Sequence, residues 1–164
     1  MKESIKKAAV LIEALPYIQN FRGQMIVVKF GGSAMEEKRN SDGILEDVTF
    51  MECVGMLPIM VHGGGKPISR AMKAAGIEAR FVKGLRVTCE RTIEVVERVI
   101  QDEINPGIVA TLREKGAKAE GVRGTDVIRV KKSILRDPAT GETTDLGYVG
   151  DPDEVVVEPI LELL

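Results

Sequence analysis

Two short apolar runs, each followed at once by glycines, form the strongest pattern along the chain. The first run is Met25–Phe30, which leads into Gly31 and Gly32, and the second is Pro58–His62, which leads into three glycines. Short β-branched runs bounded by glycine predict buried strands that end where a backbone approaches a ligand. We therefore expect both strands to deliver their glycine loops to one edge of a sheet.

Helical periodicity surrounds these strands. Apolar side chains spaced three and four residues apart predict a helix over residues 3–20, which Pro16 should kink or end. A loop is expected over residues 31–39, after which Ser41 and Asp42 should cap a helix from about 43 to 54. Thr88 is expected to cap a long helix that begins at Glu90. Helices are therefore predicted over 3–20, 43–54, 66–75, 90–103 and 106–115.

The alternation of strands and helices predicts an α/β fold with a mainly parallel central sheet between helix layers. Residues 81–87, around Gly84, predict a hairpin or an extended excursion over the sheet edge. From Ala119 the pattern becomes β-like, and a helix begins at Pro159 without a C-cap before Leu164, which indicates a chain that stops within a larger fold. Strands are predicted over 119–122, 127–130, 134–136, 145–148 and 155–157, with a turn at Asp137–Gly141.

Composition excludes several classes of protein. The 164 residues are 44% hydrophobic and 29% charged, which is typical of one soluble globular domain. The net charge of −2 provides no general attraction for nucleic acid or membranes. There is no signal peptide pattern and no apolar run of the ~20 residues that a membrane span needs. Cys53 and Cys89 follow no metal or redox spacing, so we expect reduced thiols, a cytoplasmic protein and no bound metal.

The glycine loops are the first candidates for ligand binding. Glycines directly before a helix can direct several backbone N–H groups at one anion, and Gly64 and Gly65 meet that requirement. The alternative is a tight strand-to-helix turn without a ligand, and the same choice applies to Gly31 and Gly32. Neither loop has the spacing of a Walker phosphate loop.

Two basic residues are candidates for binding anions. Lys29 closes an apolar strand, where an ammonium group is costly unless it reaches an anion or solvent. It would either neutralise a transferring phosphoryl group or simply snorkel at the strand end. Arg86 is either a bidentate clamp for a carboxylate or a solvated surface residue. His62, the only histidine, is expected in a hydrogen-bonded structural role rather than as a general base.

Taken together, three motifs in this order closely resemble the amino acid kinase family: Val28–Met35, Val61–Gly65 and Phe81–Thr88. The resemblance extends over nearly the whole chain through Asn20–Gly23, Glu94–Glu97 and Asp145–Gly150. It implies the amino acid kinase (carbamate kinase-like) fold. It also implies phosphoryl transfer from ATP, with Mg²⁺, to the side-chain carboxylate of N-acetyl-L-glutamate, the second step of arginine biosynthesis by the acetylated route.

The resemblance implies a role for each candidate residue. Lys29 would stabilise charge on the transferring phosphoryl group, and backbone N–H groups at Gly31 and Gly32 would hold phosphoryl oxygens. Gly64, Gly65 and Arg86 would bind the substrate, with Arg86 on a carboxylate. The segment Arg123–Asp126 departs from the small-residue, lysine-containing segment that the family has there.

The resemblance also implies a truncated fold. Family members run to nearly twice this length, and their nucleotide-binding half would follow Leu164. We therefore expect residues 24–164 to form an acetylglutamate-binding domain that holds no tightly bound cofactor and has little or no activity alone. Residues 1–23 resemble the kinked helix through which arginine-inhibited members form hexamers, so we predict a homodimer, and a hexamer through residues 3–20. The alternative is a helix packed on its own subunit.

Two other functions stay open at this point. The chain could belong to a family member that phosphorylates aspartate, glutamate, carbamate or a nucleotide, although Arg86 in its motif argues against this. Alternatively, it is a module that binds acetylglutamate, or dimerises, without turnover.

Overall fold

The computed structural model describes residues 2–136, 141 and 143–164. The predicted turn at Asp137–Gly141 therefore lies outside the described residues, except for Gly141. The helices are α1 (Lys2–Phe21), α2 (Ser33–Glu36), α3 (Lys38–Cys53), α4 (Gly65–Ala74), α5 (Glu90–Arg98), α6 (Asn105–Glu114), α7 (Gly124–Val127) and α8 (Glu158–Leu161). The strands are β1 (Met25–Phe30), β2 (Leu57–His62), β3 (Phe81–Val82), β4 (Leu85–Arg86), β5 (Ile128–Arg136) and β6 (Thr143–Val155).

The chain divides into two compact units. The first extends to His62 and includes Thr111–Lys118, and the second comprises Gly63–Ala110 and Ala119–Leu164. The mixture of helices and strands confirms the α/β class. Within the described residues, the strands form three two-stranded sheets, of which β1–β2 is parallel and the other two are antiparallel.

The first unit is built on the parallel pair β1–β2. The register places Met25 opposite Leu57 and Phe30 opposite His62. Both strands therefore end side by side, which confirms the prediction that the two glycine loops begin at one sheet edge. The strands are not buried on both faces, however. Phe30 is buried, but Val27 on the opposite face of β1 is 67% exposed.

The helix predicted from residue 43 begins earlier than expected. Residues 31–39 were predicted as a loop, but they contain α2 and the first two residues of α3, and Ser41 and Asp42 lie inside α3. Glu37 occupies the N-cap position, and its carboxylate accepts a hydrogen bond of 2.7 Å from the Asn40 amide. Ser and Asp are favoured at caps, but half-buried positions within a helix tolerate them too. Within α3, Leu45 and Val48 are buried.

The sequence predicted that Pro16 either kinks or ends the first helix, and α1 continues through Pro16 to Phe21, so the second alternative is excluded. Proline removes one helical hydrogen bond, the one that would reach the carbonyl of Ile12. Ile12 is 70% exposed, so water can replace that bond. None of the residues of α1 is buried.

The second unit has its core between α4 and the long helix that follows. Met72 and Val99 are fully buried, and Ile68 packs with them. The predicted break near residue 103 is absent, because α5 passes through a π-helical segment, Val99–Ile104, directly into α6. Pro106, which lacks a backbone N–H, lies just after that wide turn, where one helical hydrogen bond is lost anyway.

Several predictions for the second half need correction. The predicted hairpin at residues 81–87 is confirmed as β3–β4, which turns at Lys83 and Gly84 with positive φ values of 49° and 82°. Residues 119–122 are not a strand, 127–130 and 134–136 belong largely to one strand, β5, and only Val155 of 155–157 lies in β6. The β5–β6 pair contains two register irregularities. These interrupt the alternation that a sequence pattern relies on.

Candidate substrate-binding site

The Arg86 guanidinium is held against helix α4 by several contacts. Its Nη2 donates a hydrogen bond of 2.8 Å to the Ser69 hydroxyl and lies 3.4 Å from the carbonyl oxygen of Gly65. Its Nη1 lies 3.1 Å from the Met72 sulfur. Arg86 is half-buried in these contacts, and its role as a carboxylate clamp stays a prediction.

An aromatic ring completes the surroundings of this side chain. The central guanidinium carbon of Arg86 lies 4.7 Å from the centroid of the Phe81 ring. Phe81 lies in β3, directly opposite Arg86 in β4, so the hairpin register itself brings the two together. Stacking on an aromatic face restrains a guanidinium and leaves its N–H edge available to a planar anion.

Two of the Arg86 contacts, those with Gly65 and Ser69, lie in the first two turns of α4. Gly64 is the N-cap of this ten-residue helix, which begins at Gly65. A helix N-terminus presents unpaired N–H groups and a partial positive charge. A guanidinium in the same turns adds a full positive charge. This part of the second unit is therefore suited to a carboxylate or another small anion.

Gly64 also has a packing reason to be glycine. It is buried, and a Cβ at this position would lie 2.9 Å from Cδ1 of Ile104 and 3.1 Å from Cδ1 of Ile68. The missing side chain thus lets α4 and the π-helical segment approach each other. A Cβ at Gly65 would meet no atom within 4 Å. Packing among the described residues therefore accounts for Gly64 but does not account for Gly65.

The strand that carries Arg86 is anchored to β6 by its next neighbours. Thr88 N–H donates to the Leu146 carbonyl at 2.8 Å, and the Thr88 carbonyl accepts from Tyr148 N–H at 2.7 Å. Gly147 lies between these two bonds with φ +76°, and a Cβ there would lie only 2.1 Å from the Thr88 carbonyl oxygen. Thr88 is therefore a bridge to β6. The prediction that Thr88 caps α5 is wrong, because Cys89 occupies the cap position.

Electrostatic contacts stabilise the backbone of β6 around Gly147. The Asp145 carboxylate accepts a hydrogen bond of 2.8 Å from Gly147 N–H and one of 2.7 Å from the Lys132 ammonium. The Lys132 hydrogen bond, and then that from Gly147, lower the pKa of Asp145 from its usual value. Asp145 is therefore charged at neutral pH and continues to accept the Gly147 hydrogen bond.

Lys29, Gly31 and Gly32 belong to the first unit. Lys29 lies on the exposed face of β1, so burial does not force its ammonium group to find an anion. A Cβ at Gly31 or at Gly32 would meet nothing within 4 Å, but Gly32 adopts a φ of +58°, which favours glycine. The strand-end geometry predicted for these residues is present, and their chemistry stays a prediction.

The remaining polar candidates add little to the site. His62 is half-buried at the end of β2. Cys53 and Cys89 are both exposed free thiols. A hydrogen bond with the Thr92 hydroxyl, and then one with the Thr92 backbone, lower the pKa of Cys89. Within the part of the chain that the structure describes, no three His, Cys, Asp or Glu side chains cluster as metal ligands, and no helix is long and apolar enough to span a membrane.

Sequence reasoning missed three residues that surround Arg86: Ser69, Met72 and Phe81. Ser69 and Met72 follow Gly65 at helical spacing, four and seven residues later, so one face of α4 carries all three. This helical spacing could be recognised in the sequence. The fact that this face meets Arg86 depends on how the β3–β4 hairpin folds back, which no local pattern indicates.

Comparisons with known proteins agree on one family. The model of the amino acid kinase family matches residues 24–164. Acetylglutamate kinases of Akkermansia muciniphila and Carboxydothermus hydrogenoformans are 43% and 44% identical to the chain over 98% and 100% of its length. These alignments include 54% and 57% of the two enzymes, so the chain spans about half the length of the curated relatives it matches.

Solved structures show the same fold. The crystal structure of smu.665 from Streptococcus mutans UA159 has a TM-score of 0.69 and 26% identity, over 85% of this chain and 54% of that one. The N-acetylglutamate synthase from Neisseria gonorrhoeae, complexed with coenzyme A and N-acetyl-glutamate, has a TM-score of 0.66 and 22% identity. That alignment covers 95% of this chain and 35% of the synthase, and it supports the fold alone.

Proposed function

The chain belongs to the amino acid kinase family, and on that premise we propose that it binds N-acetyl-L-glutamate as the phosphoryl acceptor of an acetylglutamate kinase. In this reaction ATP, with Mg²⁺, is the second substrate, and the side-chain carboxylate of acetylglutamate is phosphorylated in arginine biosynthesis. The chain supplies the acceptor-binding half. Its relatives named acetylglutamate kinase support this reading over other activities of the family.

The observation that carries the proposal is the Arg86 guanidinium at the start of α4. It is held by Ser69 and Phe81 while retaining N–H groups beyond those that these contacts use. We assign these N–H groups to a carboxylate of acetylglutamate. Backbone N–H groups at Gly64 and Gly65, at the positive end of the helix, would bind further substrate oxygens.

Lys29, Gly31 and Gly32 are proposed to act on the phosphoryl group. Phosphoryl transfer depends mainly on positioning and on neutralising charge, so a mobile ammonium and unhindered backbone N–H groups are suitable chemistry. The exposure of Lys29 is consistent with this role, because its ammonium can reach a ligand without first breaking a buried contact. No general base is needed, since the acceptor carboxylate is already ionised at neutral pH.

The test is calorimetric titration of the 164-residue chain with N-acetyl-L-glutamate, L-glutamate and L-aspartate. We expect binding of the acetylated compound and at least about tenfold weaker binding of the two free amino acids, because an unacetylated ammonium group is repelled near Arg86. Preference for L-glutamate or L-aspartate would contradict the substrate assignment. An ATP-coupled assay on the same sample should show little or no turnover.

We further propose that α1 is an oligomerisation element of a homodimer, or of a hexamer. None of its residues is buried, and even the large apolar side chains of Leu11 and Tyr17 are 67% and 68% exposed. A helix with large apolar side chains and no buried face is typical of an interaction surface. The cytoplasm remains the predicted compartment, and the two free thiols are consistent with it.

Removing residues 2–20 is expected to lower the oligomeric order while leaving the remainder folded, because α1 contributes no buried side chain. Light scattering coupled to size exclusion measures the mass, and circular dichroism checks the fold. A milder variant, Leu11→Glu, should also lower the oligomeric order. Lys6→Glu, on the same exposed helix, is the control for a change of charge and should leave the oligomeric order unchanged. An unchanged oligomer in both the deletion and Leu11→Glu would refute the role of α1.

A further inference from the structure

We infer that Ser69 is a positioning residue for Arg86, which sets the direction in which the guanidinium meets the substrate. This inference rests on the proposed function for its effect on affinity. The geometry itself stands without a ligand, because Ser69 Oγ and Arg86 Nη2 are 2.8 Å apart.

The hydroxyl of Ser69 has a defined polarity. Its hydrogen is donated to the Gly65 carbonyl oxygen, 2.9 Å away and one helical turn earlier. An oxygen whose hydrogen is engaged in this way presents its lone pairs to other donors. Nη2 of Arg86 supplies such a donor. Ser69 therefore accepts a charge-assisted hydrogen bond, which is stronger than one between neutral groups.

The two bonds place Arg86, Ser69 and Gly65 in one chain of contacts. Nη2 also lies 3.4 Å from the Gly65 carbonyl oxygen, so Ser69 and Gly65 both restrain the same nitrogen. Phe81 covers the guanidinium face at 4.7 Å, which limits its rotation out of the plane. Of these partners, only the Ser69 hydroxyl can be removed without changing the backbone or the apolar surface.

Alanine at position 69 is the discriminating change. Alanine is the better helix former, so Ser69→Ala should leave α4 at least as stable as before. Loss of one hydrogen bond to a charged group is expected to weaken acetylglutamate binding about tenfold. Ser69→Thr retains the hydroxyl and should bind within about twofold of the unchanged chain. Ser41→Ala, a half-buried serine within α3, is the matched control and should have no effect.

A second measurement reads the position of Arg86 without a ligand. Hydrogen bonds to Nη2 slow rotation about the Cζ–Nη bonds, so the side-chain N–H groups of Arg86 should give separate NMR signals in the unchanged chain and in Ser69→Thr. They should merge in Ser69→Ala. Merged signals together with the tenfold loss of affinity would support the inference.

The two arms separate the possible failures. Unchanged Arg86 signals in Ser69→Ala would overturn the positioning role, even if acetylglutamate binds normally to the unchanged chain. Absence of acetylglutamate binding by the unchanged chain would instead overturn the proposed function. In that case the NMR signals still decide whether Ser69 positions Arg86.

Discussion

Arg86→Ala is expected to weaken binding of N-acetyl-L-glutamate to the chain roughly 100-fold, because it would remove the charge-assisted hydrogen bonds that we propose Arg86 donates to a carboxylate. The effect should appear in the dissociation constant measured by calorimetry. The affinity of Arg86→Lys should lie between those of the unchanged chain and Arg86→Ala, since lysine retains the charge but not the planar set of N–H donors of a guanidinium. The Arg86 side chain also contacts Ser69 and Met72, so thermal unfolding of each variant must accompany the titration.

Two comparisons make this result specific. Arg70→Ala removes an exposed arginine from α4 itself and should change the affinity less than about twofold. Lys29→Ala, measured without ATP, tests the proposed division of roles. If Lys29 acts on the transferring phosphoryl group, acetylglutamate affinity should be nearly unchanged. Equal losses in Lys29→Ala and Arg86→Ala would contradict separate roles, and an unaltered affinity in Arg86→Ala would contradict the carboxylate clamp.

Gly147→Ala is expected to lower the free energy of unfolding by ~3 kcal/mol, combining the strain of a left-handed residue with loss of backbone hydrogen bonds. A Cβ at this position would lie 2.1 Å from the Thr88 carbonyl oxygen, which is backbone and cannot rotate away. The two bonds that join Thr88 to Leu146 and Tyr148 should therefore open. Urea unfolding monitored by circular dichroism measures the change.

A matched glycine provides the control for this measurement. Gly107 lies within α6, where a Cβ would meet no atom within 4 Å, so Gly107→Ala should raise stability by ~0.5–1 kcal/mol. Since Thr88 is two residues from Arg86, Gly147→Ala should also weaken acetylglutamate binding under conditions where the variant remains folded. A Gly147→Ala chain as stable as the unchanged one would show that the Thr88 bridge is dispensable.

The amino acid kinase resemblance is confirmed, and so are most of the strongly periodic elements. β1, β2, α4 and the β3–β4 hairpin lie where the sequence predicts them, because their signals are local: apolar runs, helical periods and glycines at the turns. The errors occurred where local signals conflict. Ser41 and Asp42 resemble a cap but lie inside α3, and Thr88 resembles a cap but pairs with β6. Capping preferences are worth only ~1 kcal/mol, so tertiary contacts override them.

The candidate site, too, was predictable from the sequence only in part. The sequence motifs identified Arg86, Gly64 and Gly65 as candidates. Their spacing along the chain did not reveal that Arg86 contacts α4 at Ser69. The steric reason for Gly64 lies in Ile104, forty residues further along the chain. Likewise, Lys29 was expected at the end of a buried strand, and its exposure was set by the packing of only one face of β1.

By itself, the sequence determined the family, the order of the main elements and the candidate residues for anion binding, because short-range periodicity and glycine-rich turns encode these patterns directly. The tertiary structure alone decided which of those residues meet. It brought Arg86 onto α4 beside Ser69 and Phe81, and it tied the following Thr88 to Gly147 of β6. Such contacts join residues distant along the chain, and they depend on side-chain packing and backbone closeness that no local pattern contains.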